Sequence, residues 1–172
     1  FALGIVTGNN KKYISSVKNK DNEVILKGSD ICKYHTNPNS NYIVFNPQNF
    51  QQVAPIEMYR APEKLLYRFI SSQLVFAYDD KQTLSLNSCN LVIPKLEGLH
   101  IKYILAILNS RIAQFIYKME FHSVKVLRSH IENIPILDVN ADMQNSIIQA
   151  VEPLINGLPP EGAQIAYEQL DQ

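Results

Sequence analysis

The order of apolar and polar positions divides the chain into two parts with different periods. Up to residue 97 the apolar residues come in short runs, at 3–6, 24–26, 42–45, 65–70, 74–78 and 91–93, separated by Asn, Gly, Ser, Pro and Asp. Short apolar runs bounded by turn formers predict strands, because a strand needs only a few residues to cross a sheet. Asn37-Pro38-Asn39-Ser40-Asn41 and Asn46-Pro47-Gln48-Asn49 predict loops, and 65–70 with 74–78 predicts a hairpin across Ser71-Ser72-Gln73. Successive strand side chains face opposite ways, so Leu65, Tyr67 and Phe69 share an apolar face that belongs in the core. Lys64, Leu66, Arg68 and Ile70 share the other, which is expected to face outward and carries two cations roughly 13 Å apart at ~3.3 Å per residue.

From residue 99 the period changes. Ile101, Ile104, Leu105, Leu108, Ile112, Phe115, Ile116 and Met119 recur every three or four residues. This predicts one amphipathic helix of about five turns over 99–119, with that stripe in the core. Asn109 and Ser110 interrupt an otherwise good helix-forming run. Residues 120–131 are more polar, and Ile134-Pro135-Ile136 is an extended stop. A second helix is expected from Ala141, capped by Asn140 or Asp142, with Met143, Ile147, Val151 and Leu154 on one face. A third is expected near Glu161, where Pro160 sits at a tolerated first-turn position. The predicted fold is α+β: a curled, mixed or antiparallel sheet packed on a long helix, followed by C-terminal helices. The expected division is a body of 1–137 and a helical segment of 138–172.

Composition changes this picture mainly through charge. The 172 residues carry zero formal net charge, yet all sixteen Lys and Arg precede Pro135. Ten acids share that stretch, leaving +6, and six acids without a basic residue follow it, giving −6. A basic body with an acidic tail is expected to face different partners. A hydrophobic fraction of 46% supports a true core, and no apolar run approaches the ~20 residues of a membrane span. Cys32 and Cys89 give no disulfide framework, so a reducing, cytoplasmic setting is expected. Both ends read as cuts within a longer protein.

Five stretches occur in a telling order: LGIVTGNNKKYI at 3–14, ILKGSDICKYH at 25–35, MYRAPEKLLYRFISSQLVFAYDD at 58–80, YILAILNSRIAQFIY at 103–117 and SHIENIPIL at 129–137. This succession resembles the TaqI-like C-terminal specificity domain of adenine-N6 DNA methyltransferases, and more loosely the target-recognition domains of Type I specificity subunits. The ending YEQLDQ at 167–172 resembles the start of the helix closing many Type IIG chains. The resemblance implies sequence-specific recognition of double-stranded DNA by this domain. It also implies an upstream methyltransferase domain of the same protein, which uses S-adenosylmethionine on a flipped adenine. No cofactor is expected on this segment: it has no G-x-G-x-x-G. Its Asn-Pro segments at 37 and 46 lack the second Pro and the aromatic that stacks on a flipped base.

Four polar or basic groups are candidate DNA contacts, because backbone phosphates are held by cations and amide or hydroxyl donors. They are Thr7, Asn9, Asn10, Lys11 and Lys12 around Gly8; Lys27, Lys33, Tyr34 and His35; Ser85, Asn87, Ser88 and Asn90; and His122, Ser123, Lys125 and Arg128. Lys64 and Arg68 add the outward face of the 64–70 strand. Arg68 is a candidate for phosphate contact or guanine reading, or for a surface pair with Glu57 or Glu63. Two other functions stay open. Asp79-Asp80-Lys81 has the acid-x-Lys pattern of a Mg²⁺-dependent nuclease, and the domain could instead hold subunits of a restriction complex together. Cys32 and His35 have metal-ligand spacing but no second pair to complete a zinc site.

Overall fold

The computed structural model describes residues 1–158. The helix expected near Glu161 and the 167–172 stretch lie outside them. The first part comprises α1 (Asn10–Tyr13), β1 (Ile14–Ser15), β2 (Glu23–Leu26), β3 (Tyr42–Ile43), α2 (Ile56–Tyr59), β4 (Lys64–Arg68), β5 (Phe76–Asp79), β6 (Leu84–Ser85) and β7 (Cys89–Val92). Helices α3 (Ile101–Asn109), α4 (Arg111–Glu120), α5 (Arg128–Glu132) and α6 (Ala141–Ile155) follow. The architecture is α+β with two small, mostly antiparallel sheets. One has the order β1-β3-β2-β6, in which β2 and β6 are parallel; the other is β5-β4-β7. The hairpin forms as its pattern predicts, with Leu65 opposite Tyr78 and Leu66 opposite Ala77.

Alternation along β4 sorts side chains as expected, but both faces are covered over Lys64–Tyr67, and only Arg68 at the end of the strand is partly open to solvent. Leu65 and Tyr67 join a core with Tyr103, Leu105, Leu108 and Val151 on the helical side. Leu66 joins a second core with Ile5, Ile25, Leu26, Ile43 and Leu84 on the side of the other sheet. The three-stranded sheet is therefore a middle layer. Lys64 is 0% exposed, which corrects its expected outward placement. Strand pairing sets it directly opposite Asp79, and its Nζ lies 2.5 Å from Asp79 Oδ2 and 2.8 Å from the Tyr59 carbonyl. Asp79 also accepts from the Thr83 amide and hydroxyl. A charge leaves water only with partners of this kind, and both are supplied.

The single helix expected over 99–119 is two helices that break at Ser110. Ser110 is extended (φ −63°, ψ 159°), and its hydroxyl caps α4 by accepting from the Ala113 amide at 3.1 Å. The Asn109 side chain accepts from the Phe76 amide at 3.0 Å and donates to the Phe76 carbonyl at 2.9 Å. Gln114 does the same to Leu74 at 2.9 and 3.0 Å. These two amides stand in for a neighbouring strand along the open edge at residues 74–76, which explains the polar interruption of the helical pattern. The break also turns α4, so that Ala113, Gln114 and Tyr117 face inward. Ile112, Phe115 and Met119, expected in the core, are 71%, 66% and 64% exposed. Asn140 caps α6 through the Met143 amide, and Val151 and Leu154 of α6 enter the helical core. Met143, expected on that face, is exposed.

Candidate nucleic-acid interface

Three parallel segments leave the β region at one rim. β2 runs parallel to β6, and the Leu86 amide donates to the Leu26 carbonyl at 2.8 Å. The segment ahead of α1 runs beside them: Ile5 N donates to Ser85 O at 2.7 Å and Asn87 N to Ile5 O at 3.1 Å. Their ends carry out Lys27, Asn87 and the loop of residues 7–12. β4 ends at the same rim, because Arg68 stands opposite Cys89 and the Phe69 amide donates to the Ser88 carbonyl. Residues 124–126 are then laid against that end by Val126 N to Phe69 O and Ser71 N to Val124 O, each 2.8 Å, which brings in Lys125. Gly28 fastens the rim: its amide donates to Ser88 Oγ at 3.0 Å, and a Cβ there would lie 2.5 Å from the Ser88 carbonyl oxygen.

Within the loop of residues 7–12, Gly8 takes φ +77°, a conformation L side chains resist. Asn9 caps α1 by accepting from the Lys12 amide, which fixes exposed Lys11 and Lys12 on one turn of helix. Arg68 is half-buried and donates through Nε to the Ile31 carbonyl at 2.8 Å. It thus leans on the segment that follows Lys27, with its two Nη groups at the tip. Its expected carboxylate partners are elsewhere: Glu63 is held by the Tyr78 hydroxyl. Asn87 and Lys125 are exposed, and Lys27 is half-buried.

Several candidates are used internally. Lys64 is in the buried ion pair. Lys33 Nζ donates to the Asn109 carbonyl at 3.1 Å and closes the end of α3. Thr7 is 4% exposed, and its hydroxyl donates to Asn10 Oδ1 at 2.6 Å while accepting from the Asn9 amide. These bonds turn Thr7 and Asn10 into supports of the loop. Ser85 and Asn90 are buried, and Asn90 accepts from the Gly4 amide. Arg128 stays largely exposed, pairs with Glu132 at 2.8 Å and lies over the Phe1 ring.

A family model for the TaqI-like C-terminal specificity domain matches residues 23–136. The chain belongs to that family. Among solved structures this specificity domain is similar to the Type IIL restriction-modification enzyme MmeI, determined in complex with DNA, at 12% identity and a TM-score of 0.68. That match covers 99% of this chain and 31% of the other, so the domain spans about a third of that structure's length. No curated protein matches it significantly. Among the described residues, no helix is long and apolar enough to cross a membrane.

In this specificity domain the acid-x-Lys triplet is not assembled as a nuclease centre. Asp79 is committed to Lys64 and Thr83, and among the described residues no three His, Cys, Asp or Glu side chains group to hold a metal. Cys32 and His35 close a tight turn through Cys32 N to His35 O, with Tyr34 at φ +75°. Sequence reasoning missed Gln51, an exposed side chain packed beside Gly8. It also missed exposed Ser29, next to the Gly28 anchor. Neither carries a local signal, because only the Val6–Gln52 bridge and the Gly28–Ser88 contact bring them to the rim.

Proposed function

We propose that this domain recognises a double-stranded DNA sequence and so sets the target of adenine-N6 methylation by a longer restriction-modification protein of Type IIG character. The observation carrying the reading is the convergence of Lys11, Lys12, Lys27, Arg68, Asn87 and Lys125 from separate segments on one rim of a specificity-domain fold. Cations position a duplex through its phosphates, while a forked guanidinium and amide side chains can read base edges. The similarity to an enzyme solved with DNA supports the same reading. Methyl transfer belongs to an upstream methyltransferase domain of the same cytoplasmic protein. S-adenosylmethionine is assigned to that upstream domain. Asn37-Pro38 lies in an exposed loop and Asn46-Pro47 opens a short 3₁₀ turn, and neither carries the Pro-aromatic continuation.

The test is Arg68→Ala with binding measured on selected and scrambled duplexes. Loss of preference at one base pair, worth ~1–3 kcal/mol, identifies guanine reading. A uniform drop with a shallower salt dependence identifies phosphate contact. Unchanged binding removes Arg68 from the interface.

A separate observation favours a protein contact alongside the DNA one. Ile112, Phe115 and Met119 form an exposed apolar stripe at helical spacing on α4. Contiguous exposed apolar surface marks a partner, and the partner proposed is that same upstream methyltransferase domain. Replacing the three by Ser is expected to abolish association of the separately expressed domains while leaving DNA binding by this domain intact.

A further inference from the structure

Exposed apolar side chains stand among the rim's polar ones: Val124, beside Lys125 in the chain, is 64% exposed, and Ile70 lies across the strand bridge from Lys125. Ile70 is 55% exposed. The chain bends at Phe69, the residue after the leading cation Arg68, and Ile70 then forms an antiparallel bridge directly opposite Lys125. Directly opposed residues share a face, with Cβ atoms ~4.5–5.5 Å apart. An isoleucine is thereby held in solvent beside an ammonium group. Its backbone is pinned on both sides, by Phe69 N to Ser88 O and Val126 N to Phe69 O before it and by Ser71 N to Val124 O after it. Loop tips this exposed are ordinarily polar, as Ser71, Ser72 and Gln73 are here.

Resting on the DNA-recognition reading above, we infer that Ile70 is a specificity-determining contact for the C5-methyl group of a thymine in the major groove. The occupant is fixed by the surroundings. Lys125 across the bridge, and Arg68 and Lys27 behind it, complement a polyanion, whereas a protein partner for so small an apolar surface would face an uncompensated cluster of cations. In the major groove the thymine methyl is the one apolar group presented by a base edge, and a rigid branched aliphatic side chain complements it. Lys125 would hold the adjacent phosphate and set the depth at which Ile70 enters the groove. Asn87, on the same rim, offers an amide for a neighbouring base edge.

The experiment pairs a protein change with a single-methyl change in DNA. The chain is used at low salt to select its preferred duplexes from a pool with a randomised 20-bp centre. Each thymine of the selected duplex is then replaced in turn by deoxyuridine, which removes only the methyl group. Burial of one such group is worth about fourfold in affinity. We expect one thymine whose replacement weakens binding about fourfold to the native chain and not to Ile70→Ala. Ile70→Val should retain most of the effect. Ile70→Ala should bind the deoxyuridine duplex as the native chain does, which excludes a folding defect as the cause. Equal sensitivity of native and Ile70→Ala chains at every thymine, or none in the native chain, overturns the role of Ile70 while leaving DNA recognition in place. If the native chain selects no sequence and binds no duplex, the recognition reading itself fails.

Discussion

Lys64 and Arg68 show what a strand pattern does and does not say about a residue. Both lie on the β4 face opposite Leu65 and Tyr67, and both were expected to meet solvent. The pattern carries alternation but not what covers each face. The second sheet, which buries Lys64, is assembled from residues far away in the chain. Removing one partner of a buried ion pair strands the other, at a cost of ~3–5 kcal/mol. Lys64→Met should therefore lower the stability by about that amount in denaturant titration, with DNA affinity per folded molecule unchanged; lost affinity at unchanged stability would return Lys64 to the interface. Burial also governs the titration of other residues. Cys89 is fully buried, which pushes its thiol well above the ordinary range, and burial likewise raises the phenols of Tyr59, Tyr67, Tyr103 and Tyr117. Because these folded values exceed the unfolded ones, the stability they contribute is complete below the unfolded values, ~8.5 for the thiol and ~10 for the phenols. It is lost as pH rises beyond them. The melting temperature should be flat through pH 8 and fall above about pH 9, and a thiol reagent at pH 8 should label half-buried Cys32 and spare Cys89 until the chain unfolds.

At the level of elements, the hairpin, the capped helix from Ala141 and the change of period near residue 99 were legible because each is written locally. The break at Ser110 was only half legible. Asn109 and Ser110 mark it, but a helical period alone continues through them and assigns Ile112, Phe115 and Met119 to the core. What decides is tertiary: the Asn109 amide is more valuable as a pair of hydrogen bonds to Phe76 than as one more residue in a continuous helix. A buried backbone group without a partner costs ~1–3 kcal/mol, and Asn109 supplies the acceptor for the Phe76 amide, while the Phe76 carbonyl also accepts from the Tyr34 amide at 2.7 Å. Asn109→Ala should thus destabilise the domain by about 1–3 kcal/mol, and Asn109→Asp by at least as much, because its buried carboxylate would set an acceptor against the Phe76 carbonyl. Hydrogen exchange at the Phe76 amide reports the site directly. If that amide stays protected in Asn109→Ala, the strand-mimic role is wrong. The rim follows the same logic. Its turn and loop segments were recognisable one by one, but their convergence depends on the parallel pairing of β2, β6 and the segment at Ile5, which no short-range pattern encodes.

For the whole molecule, the structure revises which charges are available to DNA. The +6 of residues 1–135 was a sum over positions, and several of its cations prove to be spent within the fold. Lys64 is buried on Asp79, Lys33 closes α3, Arg60 is paired with Glu23 at 2.7 Å and Lys102 with Glu152 at 2.7 Å. At or beside the rim stand Lys11, Lys12, Lys27, Arg68, Lys125 and, more peripherally, Arg128. Each phosphate neutralised releases counterions and adds about −0.9 to the slope of log K against log salt. Five contacts from this set give a slope of about −4 to −5 for the isolated domain on duplex DNA. The double variant Lys11→Ala/Lys125→Ala should make the slope shallower by about two units and weaken binding equally on all sequences. Lys33→Ala and Lys102→Ala, drawn from cations with structural tasks, should leave the slope unchanged even where they lower the melting temperature. A slope near zero for the native domain would remove the rim as a phosphate-binding surface, and a slope that responds equally to all four lysines would mean that overall charge, not this rim, holds the duplex.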